Sequence, residues 1–595
     1  MSHETLLARW NDHVTRRGDA CAVSAPDRTW SHRELADQVA GLHRLLTSAE
    51  SGGAGRDAEA GGAVLVVCAD PVRAAVALLA CVAAGRTVAP VDVRQPAARW
   101  AAVLEDLRPA CVVADRAGAD ALAAAGVAGV VLLRADECAP GTWSGQHLEP
   151  AARTDAGYVY FTSGTTGRPK GIRGSLAAVA HFVDWESAEF RVGEGTRVSL
   201  LTSPGFDAFL RDLLVPLCAG GTVCVAPSPG VPVGDALVRW LAEQRVEVLH
   251  CVPTVFRTLR TAGAHAGSLP DLRVALLAGE PVRASDVVWW RELFGDSKEL
   301  VNLYGPSETT MTKVFRRLDA SDTSADPVPA GRAMPGVTVR VLVAGAPATD
   351  AIGEVEIEVP FALPGYLGTD RGGFRPPNRY RTGDLGRIDA DGTLVLLGRR
   401  DQQVKIAGVR VELGAVEEAL RDHPAVHDAC AVTADHDGDT VLGAYVVADA
   451  SAGDEELRGH AALRLPAAQL PSVLVRLSAI PRTLSGKVDR RALPPLAAVR
   501  AAAGEDLPRT PLEQEIAALW SELLHLPSVG RLDDFTLLGG TSLAMARLLD
   551  ALRTRFSAEV ALRSFLLDPT VAGLAVAVEE ARAGRPAPLT KEASA

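Results

Sequence analysis

FTSGTTGRPKG, residues 161–171, follows directly on the apolar run Tyr158, Val159 and Tyr160. A strand that opens into a glycine- and hydroxyl-rich loop suits an anion. Glycine lets backbone N–H groups converge, and Ser and Thr add hydroxyl donors. Lys170 adds a positive charge on a flexible stem. The order differs from the common phosphate-binding loop, which has Gly directly before Lys and Ser or Thr after it. Here Pro169 precedes Lys170 and Gly171 follows it. From these residues alone two readings stand, a phosphate cradle and an exposed turn with one solvated lysine.

Outward from this loop the text alternates. AVLVVC (63–68), CVVAD (111–115), GVVLL (129–133), EVLHCV (247–252) and RVALLAG (273–279) read as buried strands, separated by Ala- and Leu-rich helical stretches. That rhythm predicts an α/β fold with largely parallel strands. Residues 51–62, SGGAGRDAEAGG, read as a surface loop. Past about residue 335, VTVRVLV, GEVEIEV and GTLVLLG alternate as antiparallel strands with Gly and Asp turns. Residues 402–495 mix strands and helices as a small α+β unit, 493–511 read as an Ala/Pro-rich linker, and 512–580 are helical in period.

Bulk properties narrow the class. The 595 residues are 48% hydrophobic and 23% charged, a well-cored globular composition sufficient for three or four units. The net charge of −12 argues against broad nucleic-acid binding. The nine cysteines form no CxxC pair and no cluster at metal spacing, which suits a reducing compartment. MSHETLLARWNDH lacks a basic-then-apolar signal pattern, and the apolar run between Arg73 and Arg86 is too short to span a bilayer. The expected location is the cytoplasm, with neither membrane nor nucleic acid as a partner.

Near the C-terminus, DDFTLLGGTSLAM (533–545) is polar, turns at two glycines and then begins an apolar-periodic helix. Thr541 or Ser542 caps that helix on the plainest reading. A serine at a helix start is also placed for covalent modification.

These motifs occur in a fixed order with LYGPSETT (303–310), YRTGDLGR (380–387), GRRDQQVKIAGVRVE (398–412) and PRTLSGKVDR (481–490). Together they resemble the adenylate-forming superfamily, in particular the adenylation domains of nonribosomal peptide synthetases. DDFTLLGGTSL resembles the attachment site of a peptidyl carrier domain. The resemblance covers about residues 5–580. It implies a large adenylation subdomain over 1–400, with mixed and parallel sheets and a β-rich segment, and a small mobile α+β subdomain over 401–495. A linker (496–510), an all-α four-helix carrier domain (511–580) and a frayed tail (581–595) complete the expected order. The implied reaction is ATP-dependent activation of an α-amino acid as aminoacyl-AMP, then transfer to the chain's own carrier, by a free-standing didomain.

The resemblance also implies roles. Ser163, Thr165, Thr166 and Lys170 match the loop that handles the β- and γ-phosphates of ATP. Gly279, Glu280 and Pro281 match the turn beside adenine, Tyr304 the aromatic that stacks on it, and Thr309 a further nucleotide contact. Asp384 matches the ribose-binding carboxylate, with Arg399 beside it. Glu308 matches the Mg²⁺ ligand, Lys487 the catalytic lysine, and Asp401 the hinge about which the small subdomain alternates between delivering Lys487 and presenting the 405–408 loop. Ser542 matches the attachment site of 4′-phosphopantetheine, added by a separate phosphopantetheinyl transferase.

GFDAFLRD (205–212) matches the segment in which the family sets an aspartate against the substrate ammonium. Asp207 fits that role, with Ala208, Arg211, His250, Leu276, Ala278, Leu303, Met311 and Thr312 lining the rest of the pocket. An arginine in a pocket wants a strong acceptor, so an acidic side chain is the first expectation. If Asp207 or Asp212 neutralises Arg211, a small polar Ser- or Thr-like side chain fits better. An acyl-CoA ligase and a scaffold with lost catalysis are the rival readings; Asp207 and Ser542 oppose the first, and intact Lys170, Glu308, Asp384 and Lys487 the second. Expected partners besides the transferase are a downstream tailoring or condensation enzyme and a small activator protein.

Overall fold

The computed structural model describes residues 3–48, 62–144, 157–162, 169–227, 232–368, 371–400, 403–406, 408–436, 439–449, 452–482, 488, 490–494, 496, 507–524, 529–531, 533, 535, 538, 542–558, 560, 565 and 568–582. The 51–61 part of the expected loop and most of the linker and tail lie outside them. The chain folds as two compact units, one of Met1–Pro232, Ala236–Arg257 and Ala264–Glu412, the other of Val233–Asp235, Thr258–Gly263 and Leu413–Ala595.

In the first unit, one sheet runs in the order Arg332–Ala333, Val314–Arg317, Glu299–Tyr304, Val274–Ala278, Val248–Cys251, Arg197–Leu200, Thr222–Val225, Cys21–Ser24 and Thr29–Ser31. Its central pairs are parallel and its margins antiparallel. A second sheet centres on Val64–Val67, Val88–Pro90 and Gly157–Thr162, with Lys170–Ser175 antiparallel to the last. Its helix Pro71–Ala83 begins at Asp70, whose side chain accepts from the Val72 N–H, with proline at the first helical position. Apolar on nearly every face, that helix is buried along its length, as its sequence foretold. A continuous core joins both sheets through this helix and the helices Leu176–Glu189 and Ala208–Ala219, with Leu79, Phe182, Phe209 and Leu213 fully enclosed. A third, antiparallel sheet holds Thr338–Val343, Gly353–Glu358, Arg379–Ile388 and Leu394–Arg399. The unit ends in the hairpin Gln403–Ile406/Val409–Glu412.

In the second unit, Val426–His436, Asp439–Ala448 and Val473–Arg476 form a sheet beside the helices Leu413–Arg421 and Asp454–Ala462. Helices Pro511–Leu524, Ser542–Phe556 and Val571–Arg582 follow, around an aromatic core of Trp520, Phe535 and Phe565. Among the described residues no helix is long and apolar enough to cross a membrane.

Candidate active site

The opening stretch begins and ends in paired antiparallel strands. Strand Gly157–Thr162 returns as Lys170–Ser175, with Thr162 opposite Lys170. Ser163, Thr165 and Thr166 lie outside the described residues, between the two strands. Lys170 Nζ stands 5.6 Å from the ring centroid of Tyr366, which pairs with the returning strand opposite Ile172.

Tyr366 links this loop to Glu308. Its hydroxyl donates to Glu308 Oε1 at 2.8 Å, and Arg410 Nη1 donates to the same oxygen at 2.7 Å. Glu308 is 2% exposed, and its Oε2 has no partner among the described residues. Burial disfavours the charge, but Arg410 and the Tyr366 hydroxyl outweigh it and hold the Glu308 carboxyl below its usual range. An open, buried carboxylate oxygen suits a hard cation whose remaining ligands are phosphates and water.

Tyr304 ends the strand Glu299–Tyr304, and its hydroxyl donates to Asp384 Oδ2; Arg399 donates to Asp384 Oδ1. Asp384 and Arg399 face each other across adjacent strands, so sheet register brings them together. Beyond the strand Val274–Ala278, Gly279 adopts φ +93°, a left-handed turn that a side chain would strain. Glu280 then accepts from Thr254 N and Oγ1 through Oε2, and from Gly408 N at 2.6 Å through Oε1. Gly408 has φ +77°, and a Cβ there would lie 2.5 Å from Val252 Cγ1. The tip of the 403–412 hairpin is therefore seated against the predicted adenine-side turn. Pro281 O accepts from Arg257 Nη2, and Thr309 Oγ1 donates to Pro306 O.

The predicted amino-acid pocket is brought together by register. His250 pairs with Leu276, and Ala278 with Leu303, in adjacent parallel strands. Asp207 and Ala208 open the helix Ala208–Ala219, which places Arg211 one turn along the same face as Asp207. Asp207 Oδ2 accepts from Met311 N at 3.3 Å, and burial raises its pKa. Thr310 and Met311 both sit in the left-handed region, at φ +64° and +60°. Two such non-glycine residues in succession mark a strained turn. The buried Oγ1 of Thr312 has no partner among the described residues.

Arg211 is 5% exposed and bonded to its neighbour Asp212, with Nη2 2.8 Å and Nε 2.9 Å from Oδ1. Asp212 also accepts from Thr202 Oγ1 at 2.7 Å. His250, fully buried, lies between two carboxylates: Nε2 is 2.8 Å from Glu186 Oε1, and Nδ1 is 3.3 Å from Asp212 Oδ1. Both are ion-pair distances between a ring nitrogen and a carboxylate oxygen. Burial and Arg211 oppose protonation of His250, but the carboxylates prevail and raise its pKa; Asp212 is lowered, with Arg211 the leading favourable influence against burial.

Sequence reasoning gave no role to four contributors: Tyr366, Glu186, Lys313 and, within the 398–412 motif, Arg410. Lys313 is completely buried without a carboxylate partner among the described residues. Its ammonium donates to the carbonyls of Thr310 and Thr312 and lies 5.5 and 5.7 Å from the ring centroids of Phe182 and Phe361. Desolvation pulls its pKa down to about 7, against the pull of Asp207. A lysine two residues past a strained turn carries no pattern that announces this clamp. Lys487 and Asp401 lie outside the described residues. Ser542 is the first residue of its helix.

This architecture is that of an adenylate-forming enzyme followed by a carrier domain. The AMP-binding enzyme family model matches residues 10–367, its C-terminal domain 415–487, and the phosphopantetheine attachment site 514–578. The chain belongs to the AMP-binding enzyme family. Novobiocin biosynthesis protein H of Streptomyces niveus is 34% identical over 91% of this chain and 90% of its own. Phosphinothricin tripeptide synthetase PhsC of Streptomyces viridochromogenes is 33% identical over 98% of this chain, and the probable non-canonical nonribosomal peptide synthetase CymA of Salinispora arenicola 36% identical over 86%. The chain spans 53% of PhsC and 7% of CymA. The solved structure of holo-PA1221, a nonribosomal peptide synthetase protein containing adenylation and PCP domains, superposes with a TM-score of 0.78 at 25% identity, covering 97% of this chain and 96% of that one.

Proposed function

We propose that the chain activates an α-amino acid with ATP and loads it onto its own carrier domain. The observation that carries this reading is one contiguous site. Glu308, with its open oxygen, is three residues from Met311, whose N–H is bonded to Asp207; Tyr304 at the start of the same segment reaches Asp384. Cation, nucleotide and amino-acid functions thus share one segment, on a chain that also matches a phosphopantetheine attachment site.

An amino-acid carboxylate is a poor electrophile. In the first half-reaction its oxygen attacks the α-phosphorus of ATP, and the bond to pyrophosphate breaks, giving aminoacyl-AMP. Such a step calls for fixed positive charge rather than a protein nucleophile. Glu308 would hold Mg²⁺, which would supply charge neutralisation at the phosphates. Lys170, with Ser163, Thr165 and Thr166, binds the leaving phosphates, Asp384 and Arg399 orient the ribose, and Asp207 holds the ammonium. Lys487 meets the reacting carboxylate. In the second half-reaction a thiol attacks the acyl carbonyl and AMP departs. Ser542 would carry the phosphopantetheine arm that supplies that thiol. A hinge at Asp401 lets Lys487 and the 403–412 hairpin take turns at the site.

For the side chain, the pairing of Arg211 with Asp212 and of His250 with Glu186 and Asp212 supports a neutral polar substrate over an acidic one. Arg211 and His250 already face two carboxylates, and a further buried carboxylate would be unbalanced. Thr312 Oγ1 is left to bond a hydroxyl or amide. The test is ATP–pyrophosphate exchange across the proteinogenic amino acids. Strong stimulation by serine, threonine or another neutral polar residue is expected. Stimulation by none overturns the activity, and preference for aspartate or glutamate overturns the substrate class.

A further inference from the structure

We infer that Glu186, on the helix Leu176–Glu189 and outside the predicted pocket, is a positioning residue that sets the net charge of the side-chain pocket and so determines whether acidic amino acids are accepted. The inference rests on the reading of Arg211 and His250 as pocket residues. Glu186 has no exposed surface, and its nearest charged contact is His250. With a carboxylate oxygen at each ring nitrogen, the imidazole is stabilised with both nitrogens protonated. The cluster then holds two cations, Arg211 and His250, and two anions, Asp212 and Glu186. It is electrically closed, and neither cation has charge to spare for a substrate carboxylate. Asp207, one turn before Arg211, is committed to the substrate ammonium.

Removing one anion without changing shape reopens the cluster. In Glu186→Gln the group carries one net positive charge, and a carboxylate side chain restores balance. The readout is the ratio of kcat/KM for aspartate over asparagine, and for glutamate over glutamine, in amino-acid-dependent pyrophosphate exchange. These pairs differ in charge and scarcely in shape. A unit charge a few ångströms away in a partly screened interior shifts such a ratio by about tenfold or more in favour of the acid. Glu186→Asp, which keeps the charge, retains the wild-type ratios; mere loosening of the core would instead lower both members of each pair together. Should Glu186→Gln not fold, Asp212→Asn removes the same charge from the other side of His250 and is expected to shift the ratios in the same direction. Unchanged ratios in a folded Glu186→Gln overturn the inference while leaving the activity intact. Absence of exchange with any amino acid in the wild type instead overturns the activity on which it rests.

Discussion

Arg410→Met tests the ion pair that seats the hairpin in the site. Arg410 approaches Glu308 to 2.7 Å, with 23% of its side chain exposed and none of the glutamate's. At an effective dielectric near 20 the gross attraction is about 6 kcal/mol. Much of this is offset by desolvation, and removing one partner of a buried pair typically costs about 3–5 kcal/mol, because the other charge is left uncompensated. Arg410 keeps some water, so the low end applies, and the seated hairpin loses about 10²-fold in population. If the seated hairpin serves thiol transfer and the unseated one adenylation, the loss falls on one half-reaction. Single-turnover loading of labelled amino acid onto the phosphopantetheinylated chain should slow by about 10²-fold, with pyrophosphate exchange within a few-fold of wild type. The pH dependence follows from the same pair. Glu308 is held below its usual range when the hairpin is seated. The pair therefore favours seating above the unseated pKa of Glu308, and that gain is lost as pH falls through the lowered value. Wild-type loading should fall on the acid side, and Arg410→Met should lack that part of the profile. Equal losses in exchange and loading, or normal loading, would refute the reasoning.

Two further substitutions separate the site's parts. Lys487→Ala should abolish adenylate formation yet spare loading from a supplied aminoacyl-adenylate; equal loss of both would remove Lys487 from its assigned role. Lys313→Met should raise the KM for amino acid more than it lowers kcat, because the clamp on the Thr310–Met311 turn is gone. Its stability carries a sign: Lys313 titrates at about 7 in the folded chain, below an unfolded lysine, so its burial costs stability below that pH and the cost fades as pH rises. Thermal melts from about pH 6 to about pH 10 should show the Met variant's advantage greatest in acid; parallel profiles would contradict this.

The fold was largely legible because it rests on local patterns. Continuous apolar runs became the parallel strands Val64–Val67, Cys111–Ala114 and Val274–Ala278, and alternation after residue 335 became antiparallel sheet. The ordered motifs also single out Tyr304 and Asp384, which the structure brings into hydrogen-bond contact. Partnership across the fold was not legible. Arg410 meets Glu308 across 102 residues, and Glu186 meets His250 from a helix with no motif of its own. Sequence gave Arg211 two alternatives, and only packing assigned it to the adjacent Asp212, since neighbours in a helix do not ordinarily face each other.

Intact-protein and peptide mass spectrometry of the phosphopantetheinylated chain, incubated with ATP, Mg²⁺ and a mixture of amino acids, tests the central claim most directly. The account predicts one pantetheine arm and one aminoacyl group on the peptide containing Ser542, with no arm in Ser542→Ala and no aminoacyl group in Lys487→Ala. An arm that stays unacylated with every amino acid, or an acyl group that forms without ATP, would contradict it.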